Sequence, residues 1–217
     1  MRPPALVDVR TTVLPFIDFA LSNGVEHIVF LSIAGADHSA HMPHRLIEQH
    51  LHRRTAAFTV LRSAFFLQNL ESRFKDDLVE QGCLFVPVQE RRVNWVDARE
   101  VAEVAATVLL TPASHRGKVY ELAGPPVESW DEVLEVLRIA LHRPVRVEAV
   151  PVFGYVTVLM NRGMSADDAS LLTVLHLILR TGAAELADAQ MTELSGRAPR
   201  SVTSYVREHA RLWASAA

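Results

Sequence analysis

Glycine is sparse and scattered in this chain. Nine of the 217 residues are glycine, and no two lie closer than seven positions (Gly117 and Gly124). A phosphate-gripping turn needs glycines two or three residues apart, so these nine form no such turn. Cysteine is scarcer still. Cys83 stands alone in the apolar run CLFVPV, which excludes an internal disulfide and reads as a core position of an intracellular protein, expected in the cytoplasm. Lys and Arg form no stripe and the net charge is −3, so no nucleic-acid partner is expected. Long apolar runs are also missing. The longest, GYVTVLM (154–160) and LLTVLHLIL (171–179), are too short to span a bilayer, and MRPPALVDVR at the N-terminus has no secretory-type apolar stretch. No membrane partner is expected.

What is present is an ordinary globular composition, 49% hydrophobic and 22% charged, with enough length for one substantial core. Strand-like runs alternate with helical patterns: HIVFLS (27–32), TAAFTVLR (55–62), CLFVPV (83–88), RVNWV (92–96), KVYEL (118–122) and PVRVEAV (144–150). Helix starts are legible between them. Asp97-Ala-Arg-Glu100 and Ser129-Trp-Asp-Glu132 read as capping boxes, and Ser165-Ala-Asp-Asp168 as a weaker version. Pro43 suits the first turn of a helix carrying LIEQHL, and Pro15 is expected to kink a helix over 8–22. The alternation predicts an α/β protein with a mainly parallel sheet. Helices dominate beyond residue 125, and the apolar helices at 154–160 and 171–179 are expected to close over a sheet face or a greasy ligand.

His38, His41 and His44 recur at three-residue spacing in HSAHMPHRLIE. Zinc sites add a well-separated second pair of ligands, which is lacking, so no metal is expected and His38 and His41 read as solvated loop. His44 differs because it starts a helix one turn before Glu48, so the two share a face. Glu48 itself reads as an exposed partner of Arg45 or His52.

Six ordered pieces carry a family resemblance: LPFIDFALSNGVEHIVFLSIAGAD, PHRLIEQHL, FTVLRSAFFLQNL, FVPV, NWVDAREVAEVAATVLL and GKVYELAGPPVESWDEVLEVL. Together the series resembles the NmrA-like proteins, atypical short-chain dehydrogenase/reductases that include NAD(P)H:quinone oxidoreductases and redox-sensing regulators. The resemblance implies an incomplete Rossmann-like, doubly wound parallel sheet with a mostly helical C-terminal lobe. Residues 1–124 would be the C-terminal half of the NAD(P)-binding domain and 125–217 a substrate-side lobe. The family's opening strand, glycine-rich turn and helix have no counterpart, so the chain reads as starting mid-domain. The strand at 27–32 would then be an edge with unpaired backbone groups, to be covered by a second copy or another chain.

The resemblance also implies site residues. His44 falls where a lysine or histidine faces the nicotinamide ribose, while Ala40 replaces the usual tyrosine acid. An imidazole there could hydrogen-bond the ribose or give a proton to a reduced quinone oxygen, or simply start a helix. Ser32 is implied to line the nicotinamide pocket, or to satisfy strand-end backbone groups. Arg62, Ser63 and Phe65 are implied to wall the nicotinamide ring of NADP or NAD. Phe66, Asn69 and Trp95 are implied on the substrate side, with core packing or helix capping as the plain alternatives. Asp97 reads as a helix N-cap before it reads as an acid. The implied activity is hydride transfer from NAD(P)H to a small apolar acceptor such as a quinone, impaired by the absent glycine turn. The alternatives are a non-catalytic redox-sensing or partner-binding relative, or an inactive truncated product.

Overall fold

The computed structural model describes residues 8–38, 40, 42–87, 93–125, 129–180 and 189–212. Helix α1 (Val13–Ser22) leads to strand β1 (Ile28–Ile33), a 3-10 turn (Ala36–His38) and helix α2 (Pro43–Arg54). Strands β2 (Phe58–Ser63) and β3 (Phe65–Phe66), a 3-10 turn (Leu67–Leu70) and a π-helical turn (Asp77–Gln81) come next. Then follow β4 (Cys83–Val86), β5 (Trp95–Val96), α3 (Ala98–Leu110), β6 (Lys118–Leu122), α4 (Trp130–Leu141) and β7 (Arg146–Ala149). Helices α5 (Val152–Asn161), α6 (Ala166–Arg180), α7 (Ala189–Ser195) and α8 (Val202–Glu208) complete the order. His41, Val88, Arg92 and the segment MRPPALV lie outside the described residues.

Every pairing among the described strands is parallel, as the alternation of strands and helices predicts. The strands are shared among three short sheets, ordered β1-β2-β6, β3-β5 and β4-β7. The chain changes partner at Ala64. The Ala64 amide still donates to Leu122 O of β6, whereas the Phe65 amide donates to Asn94 O beside β5. The crossing is tight at Gly124, whose N–H donates to Trp95 O at 2.7 Å. A Cβ at Gly124 would stand 2.3 Å from that oxygen, so only glycine lets the two backbones approach this closely. β4 and β7, on either side of position 124 in sequence, pair over four residues.

Helices cover both faces of the three-stranded sheet. On one side α1 and α2 bring Ile17, Ile47 and Leu51 onto Phe30, Phe58 and Val60. On the other, α3 presents Val101, Val104 and Val108, one stripe at helical spacing, to Leu61 and Leu122. A third core joins Trp95 and Leu84 to α4 and α8 through Trp130, Leu134, Leu137, Tyr205 and Val206. The apolar helices α5 and α6 pack on each other through Tyr155, Leu159, Ala169 and Leu172. Among the described residues β1 pairs with β2 alone, so its other edge carries no strand.

Local devices follow from the sequence with two corrections. Pro43 opens α2 and Ser129–Glu132 forms the full capping box. Pro15 kinks nothing, because Asp8 accepts from Arg10 N and Thr11 N and holds residues 8–11 as a turn. α1 therefore starts at Val13, and Pro15 falls in the first turn, where a missing N–H is harmless. Asp97 caps α3, accepting from Arg99 N at 2.9 Å, but Glu100 does not close the expected box. It turns to Arg197 Nη1 and Arg200 N instead, tying α3 to the C-terminal segment.

Asp97 is fully buried and also accepts from Gln68 Nε2 and Arg99 Nη2, each at 2.7 Å. Burial pushes its carboxyl pKa upward, but the Arg99 and Gln68 hydrogen bonds outweigh this and hold it below the ordinary 3.8. Asp97→Ala is expected to destabilise by about 2–4 kcal/mol in urea unfolding, from a lost cap and an orphaned ion pair. Because the folded carboxyl binds its proton less tightly than the unfolded one, this contribution is present above pH 3.8 and lost as pH falls through the lower folded value. The stability gap between wild type and Asp97→Ala should therefore shrink on acidification below that point.

Candidate active site

Parallel register places Ser32 of β1 opposite Arg62 of β2, and Arg62 opposite Glu121 of β6. The three side chains form one row across the carboxyl end of the sheet, on the α2 face. Glu48 reaches into the row from α2. Arg62 Nε and Nη2 grip its two oxygens at 3.0 and 2.7 Å, and Ser32 Oγ donates to Oε1 at 2.6 Å. Arg62 Nη1 donates to Asp37 Oδ2 at 2.8 Å and to Glu121 Oε1 at 2.9 Å. Arg45 adds a longer contact to Glu48 at 3.3 Å. Glu48 is thus a partner of Arg45, but the reading of it as exposed is corrected: it is 1% exposed, because Arg62 draws it inward.

The cluster sets two cations against three carboxylates. Burial raises the Glu121 carboxyl pKa above its usual range, and Arg62 does not fully reverse this with Asp37 and Glu48 nearby. Asp37 feels burial too, but its bond and charge interaction with Arg62 hold it below the usual value.

Past Ala64 the character changes. Successive strand residues point to opposite faces, so Phe65 and Phe66 part company: Phe66 packs toward Val96 and Val101, and Phe65 joins an aromatic network. Phe65 meets Trp95 edge-on at 5.1 Å and His176 of α6 at 5.7 Å between ring centroids. Trp95 meets Trp130 at 5.4 Å, and His176 meets Tyr155 of α5 at 5.3 Å. The structure thus brings Phe65 and Trp95 together, with Ser63 two residues earlier at the end of β2 and half-buried Asn69 on the 3-10 turn that follows. His44 is buried near the start of α2, its ring 6.2 Å from Phe30. His38 is exposed beside Asp37. Among the described residues no group of three His, Cys, Asp or Glu is placed to hold a metal ion, and no helix is long and apolar enough to cross a membrane.

Sequence reasoning missed Asp37, Glu121, Tyr155 and His176. Glu121 depends on cross-strand register and Asp37 on the fold of the turn after β1, which one sequence does not display. The last two carry a visible signal, a single polar aromatic inside each apolar run (GYVTVLM and LLTVLHLIL), although those runs are expected only as apolar helices closing over a sheet face or a greasy ligand.

No family model matches the sequence. Agroclavine dehydrogenase of Claviceps fusiformis is 28% identical over 214 residues, covering 97% of this chain and 73% of that protein. Among solved structures, the NADPH-dependent quinone oxidoreductase QOR2 of Escherichia coli, complexed with NADPH, superposes with a TM-score of 0.79 at 21% identity, over 90% of this chain and 70% of that one. NmrA, a negative transcriptional regulator crystallised with NAD, superposes at 0.65 and 15% identity, over 95% of this chain and 70% of its own. The chain has the NmrA-like fold. The NmrA-like likeness runs the length of this chain, as the six ordered sequence pieces led one to expect, and spans about 70% of each of the two NmrA-like structures.

Truncating one partner of a buried ion pair typically costs 3–5 kcal/mol, whereas removing surplus charge is mild. Glu48→Ala should therefore destabilise by about 3 kcal/mol or more, and Glu121→Gln by about 1 kcal/mol or less. Parallel denaturant melts would read the contrast, and equal losses would contradict this account of the cluster.

Proposed function

We propose that this chain acts in hydride transfer from NAD(P)H to a quinone or similar apolar acceptor. The observation that carries the reading is the aromatic wall of half-buried Phe65 and buried Trp95 just past the carboxyl end of β2, the end of parallel strands where α/β proteins gather ligands. The likeness to a quinone oxidoreductase and a dehydrogenase supports it. NAD(P)H, when bound, supplies the hydride, and the protein's task is to orient and exclude water. In this reading Phe65 and the backbone of Arg62 and Ser63 line the nicotinamide side, and Trp95, Asn69 and Phe66 the acceptor side. Ser32 and Arg62 serve as positioning residues, since both side chains are committed to Glu48. His44 supplies a hydrogen bond to the ribose. The diphosphate finds no glycine cradle, as the nine glycines stand apart, and no step is assigned to that half of the cofactor. The soluble enzyme would work in the cytoplasm. The unpaired edge of β1 would be covered by a strand of a second copy, and a dilute monomer in light scattering would remove that part.

A second reading, a redox-sensing protein without turnover, is favoured by Ala40 in place of the family's tyrosine. Titration with NADPH, followed by tryptophan fluorescence, is expected to show saturable binding. NADPH oxidation with a simple benzoquinone should then proceed, slowed about tenfold or more in His44→Ala, the loss of one hydrogen bond to a bound group. Binding without oxidation selects the sensor. No fluorescence change at millimolar NADPH defeats both.

A further inference from the structure

The rings of Trp130, Trp95, Phe65, His176 and Tyr155 form a continuous chain of contacts. Among the described residues, four of its polar atoms are buried without a hydrogen-bond partner: Trp130 Nε1, Trp95 Nε1, His176 Nε2 and Tyr155 Oη. Buried polar groups are ordinarily satisfied, and leaving several orphaned along one contact path is unfavourable by about 1–3 kcal/mol each. Such a set marks a place where something polar is expected to enter.

His176 states what kind of group that is. Its Nδ1 lies 2.8 Å from the Leu172 carbonyl oxygen, one turn earlier in α6. A carbonyl only accepts, so Nδ1 carries the proton and Nε2 presents a lone pair. The ring is 0% exposed, and burial pushes its pKa down to about 4, so it stays neutral near pH 7 and Nε2 remains an acceptor. Indole nitrogens can only donate, and the tyrosine hydroxyl does either. The wall therefore offers aromatic surface, donors, and one acceptor of fixed tautomer. A quinone, which has acceptors only, leaves His176 unsatisfied.

We propose that this wall binds a planar aromatic ring bearing a hydroxyl or N–H donor, a phenol, hydroquinone or aryl amine, with His176 Nε2 accepting the hydrogen bond. Phe65 is the half-buried member of the wall. The inference deepens the reductase reading and rests on it for a place in a reaction: the reduced, hydroxyl-bearing form or an amine-bearing acceptor is held better than the quinone.

Phenol and anisole share a ring and differ in the donor. With the full chain carrying 15N-labelled histidine, phenol should move the Nε2 resonance of His176, identified by its loss in His176→Phe. Phenol should also bind about tenfold more tightly than anisole, the worth of one net hydrogen bond. His176→Phe should bring the two affinities together. Equal affinities in the wild type, or no shift at His176 because the orphans hold only water, would overturn the proposal. NADPH oxidation measured on the same sample separates the two ideas, since phenol binding without turnover counts against the reductase reading alone.

Discussion

Arg62 holds the carboxyl end of the sheet together. Its guanidinium bridges β1, β2, β6, α2 and the turn at Ala36–His38 through Glu48, Asp37, Glu121 and, by way of Glu48, Ser32. These contacts exist only because parallel register stacks residues 32, 62 and 121 in one row. A one-residue slip of any one of these strands would send its member of the row to the α3 face, toward the apolar stripe of Val101, Val104 and Val108. The buried pair thus penalises other registers more than it adds to stability, the role best supported for buried charges.

The same chain crossing separates a charged region from an aromatic one. Up to Ser63 the edge belongs to the three-stranded sheet and its polar groups satisfy one another. From Phe65 onward it belongs to the β3–β5 pair, whose neighbours are rings from β5, α4, α5 and α6. The first region spends its hydrogen bonds internally and the second keeps several in reserve. In the proposed function, binding specificity would reside past Ala64, in side chains supplied by helices far away in sequence.

That division explains what could be read from the sequence. Short strand-like runs, such as KVYEL, and helices with local caps, such as Ser129–Glu132, are short-range features and stand where the pattern places them. β3 escaped notice because two residues carry no periodicity. Glu48 was read as exposed because helical spacing shows its neighbours Arg45 and His52, while Arg62, its dominant partner, is brought by the sheet. Phe65 and Trp95 were legible as candidate wall residues from the resemblance alone. His176 was hidden by the run that buries it, since a histidine among leucines reads as packing until its hydrogen bonds are counted.

The electrostatics of the edge also restrict how a dinucleotide could be held. A diphosphate needs spare N–H donors or a positive helix end. Four of the five N–H donors of Arg62 are already on carboxylates, and its surroundings carry more carboxylates than cations. An anion brought to this row would meet repulsion in a medium less polar than water, where such terms grow. The nicotinamide and acceptor rings, being planar and close to neutral, are spared this and suit the aromatic side. In the proposed function, whatever grips the phosphates of a bound cofactor would act away from the Arg62 cluster, which leaves the side of Phe65 to the neutral rings.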